Sequence, residues 1–186
     1  MNVMLSLKEG SREAHLRLEK RLAIKDRFAQ IDLYREHIAR LASFYAVAET
    51  QWAAWLEPAL NDFPARRKAS LLARDLAAVG GAPISGARVP SVTDTASALG
   101  SFYVLEGATL GGQYLLPLVE RRLGLSAMHG ASYLGSYGTE VGDMWKRFGV
   151  AAQAHCQTDD DIGRAVAAAR TTFLAMEDWL CGVPAG

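Results

Sequence analysis

A stripe of large apolar residues with helical spacing constrains the fold of this chain more than any other feature of its sequence. Within residues 31–57, seven such side chains recur at alternating intervals of four and three positions: Tyr34, Ile38, Leu41, Tyr45, Ala48, Trp52 and Trp55. This spacing places all of them on one face of a helix, which must be buried against other elements. Pro58 follows and predicts the end of the helix.

Weaker versions of the same periodicity predict five further helices and no β-strand. The predicted helices cover about 4–26, 64–80, 94–123, 139–155 and 158–180. Two stretches rich in turn-forming residues, 82–91 and 124–137, are predicted to be irregular. Residues of the type that caps helices stand at Asp94 and at Thr158, where two of the helices begin. The sequence therefore predicts an all-α fold, a multi-helical bundle that forms a single domain over residues 1–186.

Charge and composition exclude several classes of function. Twenty basic residues balance twenty acidic ones, whereas nucleic-acid binding usually requires a basic excess. No uncharged apolar stretch reaches the length of a membrane span, and the first residues lack the pattern of a signal peptide. The two cysteines, Cys156 and Cys181, lack the spacing of a zinc site and suit a reducing compartment. We therefore expect a soluble, cytoplasmic protein that binds neither nucleic acid nor membrane.

The predicted helix over 94–123 contains an unusual number of glycines. Gly100, Gly107, Gly111 and Gly112 lie within apolar, helical sequence, where each glycine costs about 1 kcal/mol relative to alanine. Two explanations remain open, a close crossing with another helix or a bent helix that exposes bare backbone to a flat, wide ligand. The last three glycines are expected to share one face. The GxGxxG and P-loop motifs are absent, which argues against a nucleotide.

His15 is a candidate metal ligand in the first predicted helix. It shares a face with Leu18 and Leu22, so its ring can point inward. Glu19 lies one turn later, within reach of the ring. A metal-binding histidine normally donates its other N–H group to a carboxylate, a carbonyl or water. The pair has this spacing, but an ordinary side-chain contact between the two residues has the same spacing.

The other polar residues that stand out have structural interpretations. His37 follows Tyr34 by three positions, which predicts a buried structural histidine. His129 lies in the glycine-rich stretch and is expected to face solvent. Glu106, inside the glycine-containing helix, is interpreted as a structural charge.

Taken together, the two segments resemble the heme oxygenase family. Lys8 stands seven residues before His15 in the first helix, and the later segment 103–115 reads YVLEGATLGGQYL. The match is most similar to bacterial members, including those associated with bacteriophytochromes. Elsewhere the likeness is limited to length, helix order and loose pattern. The resemblance implies the heme oxygenase-like fold, with heme held between the first helix and a glycine-kinked distal helix.

The resemblance also implies roles for individual residues. His15 matches the axial ligand of the heme iron, and Glu19 matches a glutamate that hydrogen-bonds this histidine. The other matches are the distal glycines and the groups that contact the heme propionates: Gly107 and Gly111, then Lys8, Tyr103, Lys146 and Arg147. Many members carry Asp or Ser after the first distal glycine, but this chain carries Ala108. In those members the Asp or Ser supports a network of water molecules on the distal side of the heme. We therefore expect Thr109 or backbone carbonyls to hold this water in the present chain.

The implied activity is oxidative cleavage of heme, which serves as both cofactor and substrate, to biliverdin, CO and ferrous iron. Besides O2, it needs an external electron donor (ferredoxin, flavodoxin or a reductase), because the sequence contains no flavin or nicotinamide motif. A bacteriophytochrome is a candidate acceptor of the biliverdin. One alternative is a non-catalytic heme carrier or sensor of the same fold. A second is an unrelated helical enzyme, such as a thiaminase-like hydrolase, which would need a nucleophile that the sequence does not indicate.

Overall fold

The computed structural model describes residues 2–182, which form ten α-helices. In chain order these are α1 (Val3–Leu22), α2 (Ile24–Arg27), α3 (Ile31–Gln51), α4 (Ala53–Leu56), α5 (Phe63–Arg66), α6 (Ala69–Ala78), α7 (Thr95–Leu123), α8 (Ser132–Gly135), α9 (Val141–His155) and α10 (Asp159–Cys181). A 3-10 turn, Gly138–Glu140, precedes α9. Between residues 2 and 182 there is no strand, only isolated bridges near Ser126. The prediction of an all-α fold is confirmed.

The long helices α1, α3, α7 and α10 enclose one continuous hydrophobic core. The most extensive packing joins α10 to α7 and to α1, and α6 covers α3. Among residues 2–182, no helix is both long enough and apolar enough to cross a membrane.

The apolar stripe of α3 is buried as predicted, except at its end. Tyr34, Ile38 and Tyr45 are almost fully buried, but Trp55 retains 38% exposure. The helix ends at Gln51 rather than near residue 57. Trp52 is completely buried, and its indole Nε1 donates to the carbonyl of Pro90 at 2.9 Å. The helix is interrupted at Trp52 and α4 begins at Ala53, so the continuous helix predicted to residue 57 is wrong.

The first predicted helix is also divided in the structure. Ala23 adopts a left-handed conformation with φ of +43°, and its N–H donates to the carbonyl of Glu19. A left-handed residue is a common way to end a helix, although glycine usually occupies that position. The predicted segment 4–26 therefore becomes α1 and the single turn α2.

Two capping arrangements come from residues far away in sequence. Glu49 on α3 accepts the backbone N–H groups of Lys68 and Ala69, where α6 begins. The predicted helix 64–80 is therefore divided into α5 and α6. Asp75 on α6 accepts the backbone N–H groups of Ser132 at 2.8 Å and Tyr133 at 2.7 Å. This carboxylate holds α8 inside the stretch predicted to be irregular.

The starts of α7 and α10 are confirmed. Asp94 accepts the N–H of Ser97 at 2.7 Å, and Thr158 accepts the N–H of Asp161 at 3.1 Å. In both pairs the second side chain also bonds back to the capping residue, which completes a capping box. Helix α7 then continues without a break through all four glycines to Leu123. The kink expected at those glycines stays a prediction.

Candidate functional site

A cleft of about 1150 Å³ lies between α1 and α7, and its surface is largely apolar. Its volume is slightly above the roughly 300–1,000 Å³ typical of small-molecule sites. The apolar lining includes Leu18, Leu41, Leu110, Phe173, Met176 and Leu180. A cleft of this size between two long helices suits a large, flat, mainly apolar ligand.

His15 stands on the α1 wall of the cleft. Its side chain is 49% exposed, and its ring lies 5.2 Å from that of Phe173. Its Nε2 is 3.3 Å from Oε1 of Glu19, which is also largely exposed. The structure therefore brings the predicted pair together, with Nε2 as the nitrogen nearest the carboxylate. A metal can bind only the ring nitrogen that does not contact Glu19, which is Nδ1 in this arrangement. Because the ring is half exposed, it could rotate, and Nε2 would then be the nitrogen available to a metal.

The opposite wall is backbone and small side chains of α7. Gly107, Ala108 and Gly111 all line the cleft. A Cβ atom added to Gly111 would meet nothing within 4 Å, and one added to Gly107 would only reach the ring of Trp145 at 3.9 Å. These two glycines are therefore not required by packing, and they leave the α7 backbone open to a ligand.

Gly112 does not share this face, so that expectation is wrong. A Cβ at Gly112 would lie 2.7 Å from the carbonyl oxygen of Leu134 on α8. Each residue turns a helix by about 100°, so a separation of five residues from Gly107 rotates the position by about 140°. Gly112 is needed for close packing and Gly111 is not. The two explanations left open by the sequence thus apply to different glycines.

One end of the cleft lies beside α9 and carries basic groups. The N–H of Val3 donates to Gln153 at 3.1 Å, which places the start of α1 against α9. Lys8 and Arg12 line the cleft at this end and are exposed. Tyr103 also lines it, and burial raises the pKa of its phenol, which keeps it neutral. Cations and a phenol at one end of an apolar cleft suit a ligand with carboxylates on one edge.

The other end of the cleft lies beside α2. Arg122, near the end of α7, donates to the carbonyl of Lys25 at 2.7 Å, which joins these two elements. Lys25, Asp26 and the largely exposed Tyr114 line the cleft here. Both charge signs are present at this end, so it is less suited to carboxylates than the α9 end.

Three residues predicted for the site lie outside the cleft lining. Thr109 is buried, and its hydroxyl donates to the carbonyl of Glu106 at 2.6 Å. Lys146 is 79% exposed and pairs with Asp143, while Arg147 donates to the sulfur of Met144. Of the predicted groups, the cleft gathers His15, Glu19, Lys8, Tyr103, Gly107 and Gly111.

Two polar residues in the cleft wall were not predicted to belong to a site. The hydroxyl of Tyr133 lies 2.8 Å from that of Tyr45, and burial raises the pKa of Tyr133 to about 12. His37 is 3% exposed, and burial lowers its pKa to about 3, with Arg27 and Arg40 contributing. Tyr133 belongs to a segment without periodicity, so nothing in the sequence could place it. The helical spacing correctly predicted that His37 is buried, but it could not indicate that the residue lines the cleft.

A buried charge cluster supports α7 from the side away from the cleft. Glu106, 2% exposed, accepts from Nη1 of Arg66 and from the hydroxyl of Tyr137 at 2.7 Å. Burial raises the pKa of Glu106 above its ordinary value, and the positive charge of Arg66 offsets only part of this rise. Nζ of Lys68 lies 3.7 Å from the centre of the Tyr137 ring. The structural interpretation of Glu106 agrees with these contacts.

Comparison with known proteins agrees with this geometry. The family model described as "Heme oxygenase" matches residues 1–181. A protein named heme oxygenase from Xanthomonas campestris pv. campestris (strain 8004) is 29% identical over 150 residues, which cover 80% of this chain and 85% of that protein.

Two solved structures share the fold. One is an NO- and CO-bound heme oxygenase from Neisseria meningitidis, with a TM-score of 0.85 at 21% identity, covering 100% of this chain and 94% of that one. The other is a heme oxygenase from Leptospira interrogans, with a TM-score of 0.78 at 19% identity, covering 98% and 100%. Since the family model spans nearly the whole sequence, the chain belongs to the heme oxygenase family, whose members are oxidoreductases that bind heme as cofactor and substrate.

Proposed function

We propose that this protein cleaves heme, using O2 and electrons from an external donor, and releases biliverdin, CO and ferrous iron. The observation that carries the proposal is that the cleft has a candidate iron ligand on one wall and bare backbone on the wall opposite it. His15 stands on α1, and the exposed backbone of Gly107 and Gly111 faces it across an apolar cleft. Heme is flat and apolar, with two carboxylates on one edge, which matches the cleft and its basic α9 end. Bound heme supplies the iron at which O2 is activated and also the carbon that is removed.

On the α1 wall, His15 would hold the iron through one ring nitrogen. Glu19 would accept the N–H of the other nitrogen, which fixes the tautomer and the ring orientation. Because both side chains are about half exposed, they are free to adjust when a ligand enters. With His15 as a single neutral ligand, the iron would remain able to bind O2.

On the α7 wall, Gly107 and Gly111 present no side chain that would donate to or polarise bound oxygen. Ala108 contributes only a methyl group, and the Thr109 hydroxyl is bonded to a carbonyl behind the wall. The Tyr133 hydroxyl lies close to α7, since it is 2.8 Å from the Tyr45 hydroxyl, which donates to the carbonyl of Leu105 at 3.3 Å. We therefore assign the ordering of distal water to Tyr133 and the α7 carbonyls rather than to Thr109.

At the α9 end, Lys8, Arg12 and Tyr103 would bind the propionates. This contact would orient the heme, because it fixes one edge of the ring at one end of the cleft. Lys146 and Arg147 point elsewhere, so their predicted contact with propionates requires new side-chain conformations. The exposed cations at this end also suit an acidic electron-donor protein such as ferredoxin or flavodoxin. A bacteriophytochrome acceptor and a cytoplasmic location stay predictions.

A spectral titration tests the proposal. Hemin is added to the protein, and ascorbate in air then supplies electrons. We expect a Soret band that decays into the broad red absorption of biliverdin, whereas His15→Ala loses this coupled conversion. His129→Ala, which changes an exposed histidine outside the cleft, is the matched control and should behave as the unaltered protein.

Two other outcomes have separate meanings. The orientation of the Thr109 hydroxyl away from the cleft favours the second candidate, a heme carrier or sensor without turnover. That candidate predicts a Soret band that survives ascorbate and air. Absence of any Soret band would overturn both functions.

A further inference from the structure

His37 is a buried polar group, and one of its two ring nitrogens has no hydrogen-bond partner in the part of the chain that the structure describes. It lies on α3 and lines the cleft, yet it is only 3% exposed. Its ring packs edge-on against Phe28, with 5.5 Å between ring centres. Within residues 2–182, its Nδ1 is buried without a hydrogen-bond partner. A buried nitrogen without a partner costs free energy, so a ligand that supplies one is favoured.

The environment of His37 keeps the ring neutral. Burial is the main cause of its low pKa, and the nearby charges of Arg27 and Arg40 add to the effect. A neutral imidazole has one N–H donor and one acceptor nitrogen. The residue therefore suits an amide-like group, which offers both an acceptor and a donor, whereas a carboxylate would leave the acceptor nitrogen without a partner.

His37 lies at the end of the cleft opposite the basic groups. Its neighbour Phe28 directly follows α2, whereas Lys8 and Arg12 lie near α9. If the propionates of heme occupy the α9 end, as proposed above, the edge that faces His37 carries only hydrocarbon. Heme itself therefore provides no polar partner for this histidine.

Ring opening changes the chemistry of that edge. Removal of the bridging carbon as CO leaves an oxygen atom on each of the two pyrrole carbons that flanked it. The linear product then has a lactam at each end, whose C=O group is new at the opened edge and whose ring nitrogen no longer binds iron. These amide-like groups match the donor and acceptor of a neutral imidazole.

We propose that His37 is a product-recognition residue, which hydrogen-bonds the lactam groups of the linear tetrapyrrole and makes no polar contact with heme. This inference rests on the proposed function, because it uses the heme orientation given there. It follows that His37 tightens the binding of biliverdin and slows its release without changing heme affinity. Opening at a different edge of the ring would leave the lactams away from His37.

The test compares two ligands on the apoprotein, hemin and biliverdin, each titrated separately. His37→Leu should weaken biliverdin binding by about tenfold, the equivalent of one hydrogen bond, while hemin affinity changes less than about twofold. His37→Gln retains a donor and an acceptor and should recover part of the biliverdin affinity. His129→Leu is the control for removal of an exposed histidine.

A second measurement uses the unaltered protein, in case His37→Leu does not fold. The imidazole ¹⁵N signals of His37 should shift strongly on addition of biliverdin, and much less with gallium protoporphyrin, a diamagnetic heme analogue that acts on them only through its ring current. Equal weakening of both ligands, or no shift with biliverdin, would overturn the assignment. Failure of hemin to give a Soret band would instead count against the proposed function, so the two failures are distinguishable.

Discussion

Two groups of glycines in α7 are present for opposite reasons. Where α7 packs against other helices, a Cβ at Gly100 would lie 2.0 Å from the carbonyl oxygen of Ala165 on α10. A Cβ at Gly112 would lie 2.7 Å from the carbonyl oxygen of Leu134 on α8. These glycines allow helices to approach more closely than any side chain permits.

On the cleft face, Gly107 and Gly111 have room for a side chain. Each still carries the cost of glycine inside a helix, roughly 1 kcal/mol, and receives no packing in return. The difference shows that glycines of one helix can serve the fold at some positions and a ligand at others. Substitutions that target each group separately can break or sharpen this comparison.

The largest effect on the free energy of unfolding is expected at Glu106, a buried charged residue of α7. Glu106→Ala removes the carboxylate that pairs with Arg66, whose side chain is fully buried. Loss of one partner of a buried pair costs about 3–5 kcal/mol, and we expect about 3 because Asp62 still pairs with Arg66. Urea unfolding measures the change. Lys146→Ala, which removes the exposed pair with Asp143, is the control and should change stability little. A loss at Glu106 as small as that of the control would contradict the comparison.

Gly100→Ala is expected to be almost as destabilising. The added methyl group would overlap the Ala165 backbone, which cannot move without shifting α10 against α7. Overpacking of this kind costs about 1–3 kcal/mol, and a backbone contact belongs at the upper end. Thermal and urea unfolding should both show the loss. Unchanged stability would mean that the helices can separate slightly at no cost.

Gly112→Ala should have a smaller effect of the same sign. Its methyl group would meet one carbonyl on the short helix α8, which can shift more easily than α10. We expect a loss of about 1–2 kcal/mol in the free energy of unfolding. A gain in stability here would show that Gly112 belongs with the cleft face after all.

Gly111→Ala, only one residue away, should have the opposite sign. The apoprotein should gain about 0.5–1 kcal/mol, because alanine is the better helix former and meets no neighbour. Turnover of hemin should fall, since the methyl group projects into the cleft. Unfolding of the apoprotein and ascorbate-driven hemin decay measure the two effects. Unchanged turnover would remove the functional reason for glycine at this position.

The parts of this molecule that were predicted correctly depend on neighbours in sequence. Capping boxes act over three residues, so the starts of α7 and α10 were visible at Asp94 and Thr158. The proximity of His15 and Glu19 follows from one helical turn. The spacing of the glycines did not show which of them face a ligand. The resemblance to a known family indicated that Gly107 and Gly111 form the wall opposite His15.

The parts that were missed depend on contacts between distant segments. Nothing near residue 68 indicates that Glu49 will cap α6, and nothing near residue 23 indicates a left-handed alanine. Thr109 was misplaced for a simpler reason, because two residues rotate a helix by about 200° and carry its side chain away from Gly107. Tyr133 needed α8, which only a tertiary contact creates.

The carboxylate of Asp75 also makes part of the cleft depend on a contact between distant segments of the chain. A helix of four residues has no stability of its own, so α8 and its Tyr133 depend on a contact that spans 57 positions of the chain. Contacts over such separations form late, because a long loop must first be closed. In refolding, helical circular dichroism should therefore recover before the protein can bind hemin. The part of the cleft that Tyr133 lines can therefore mature only after this loop has closed.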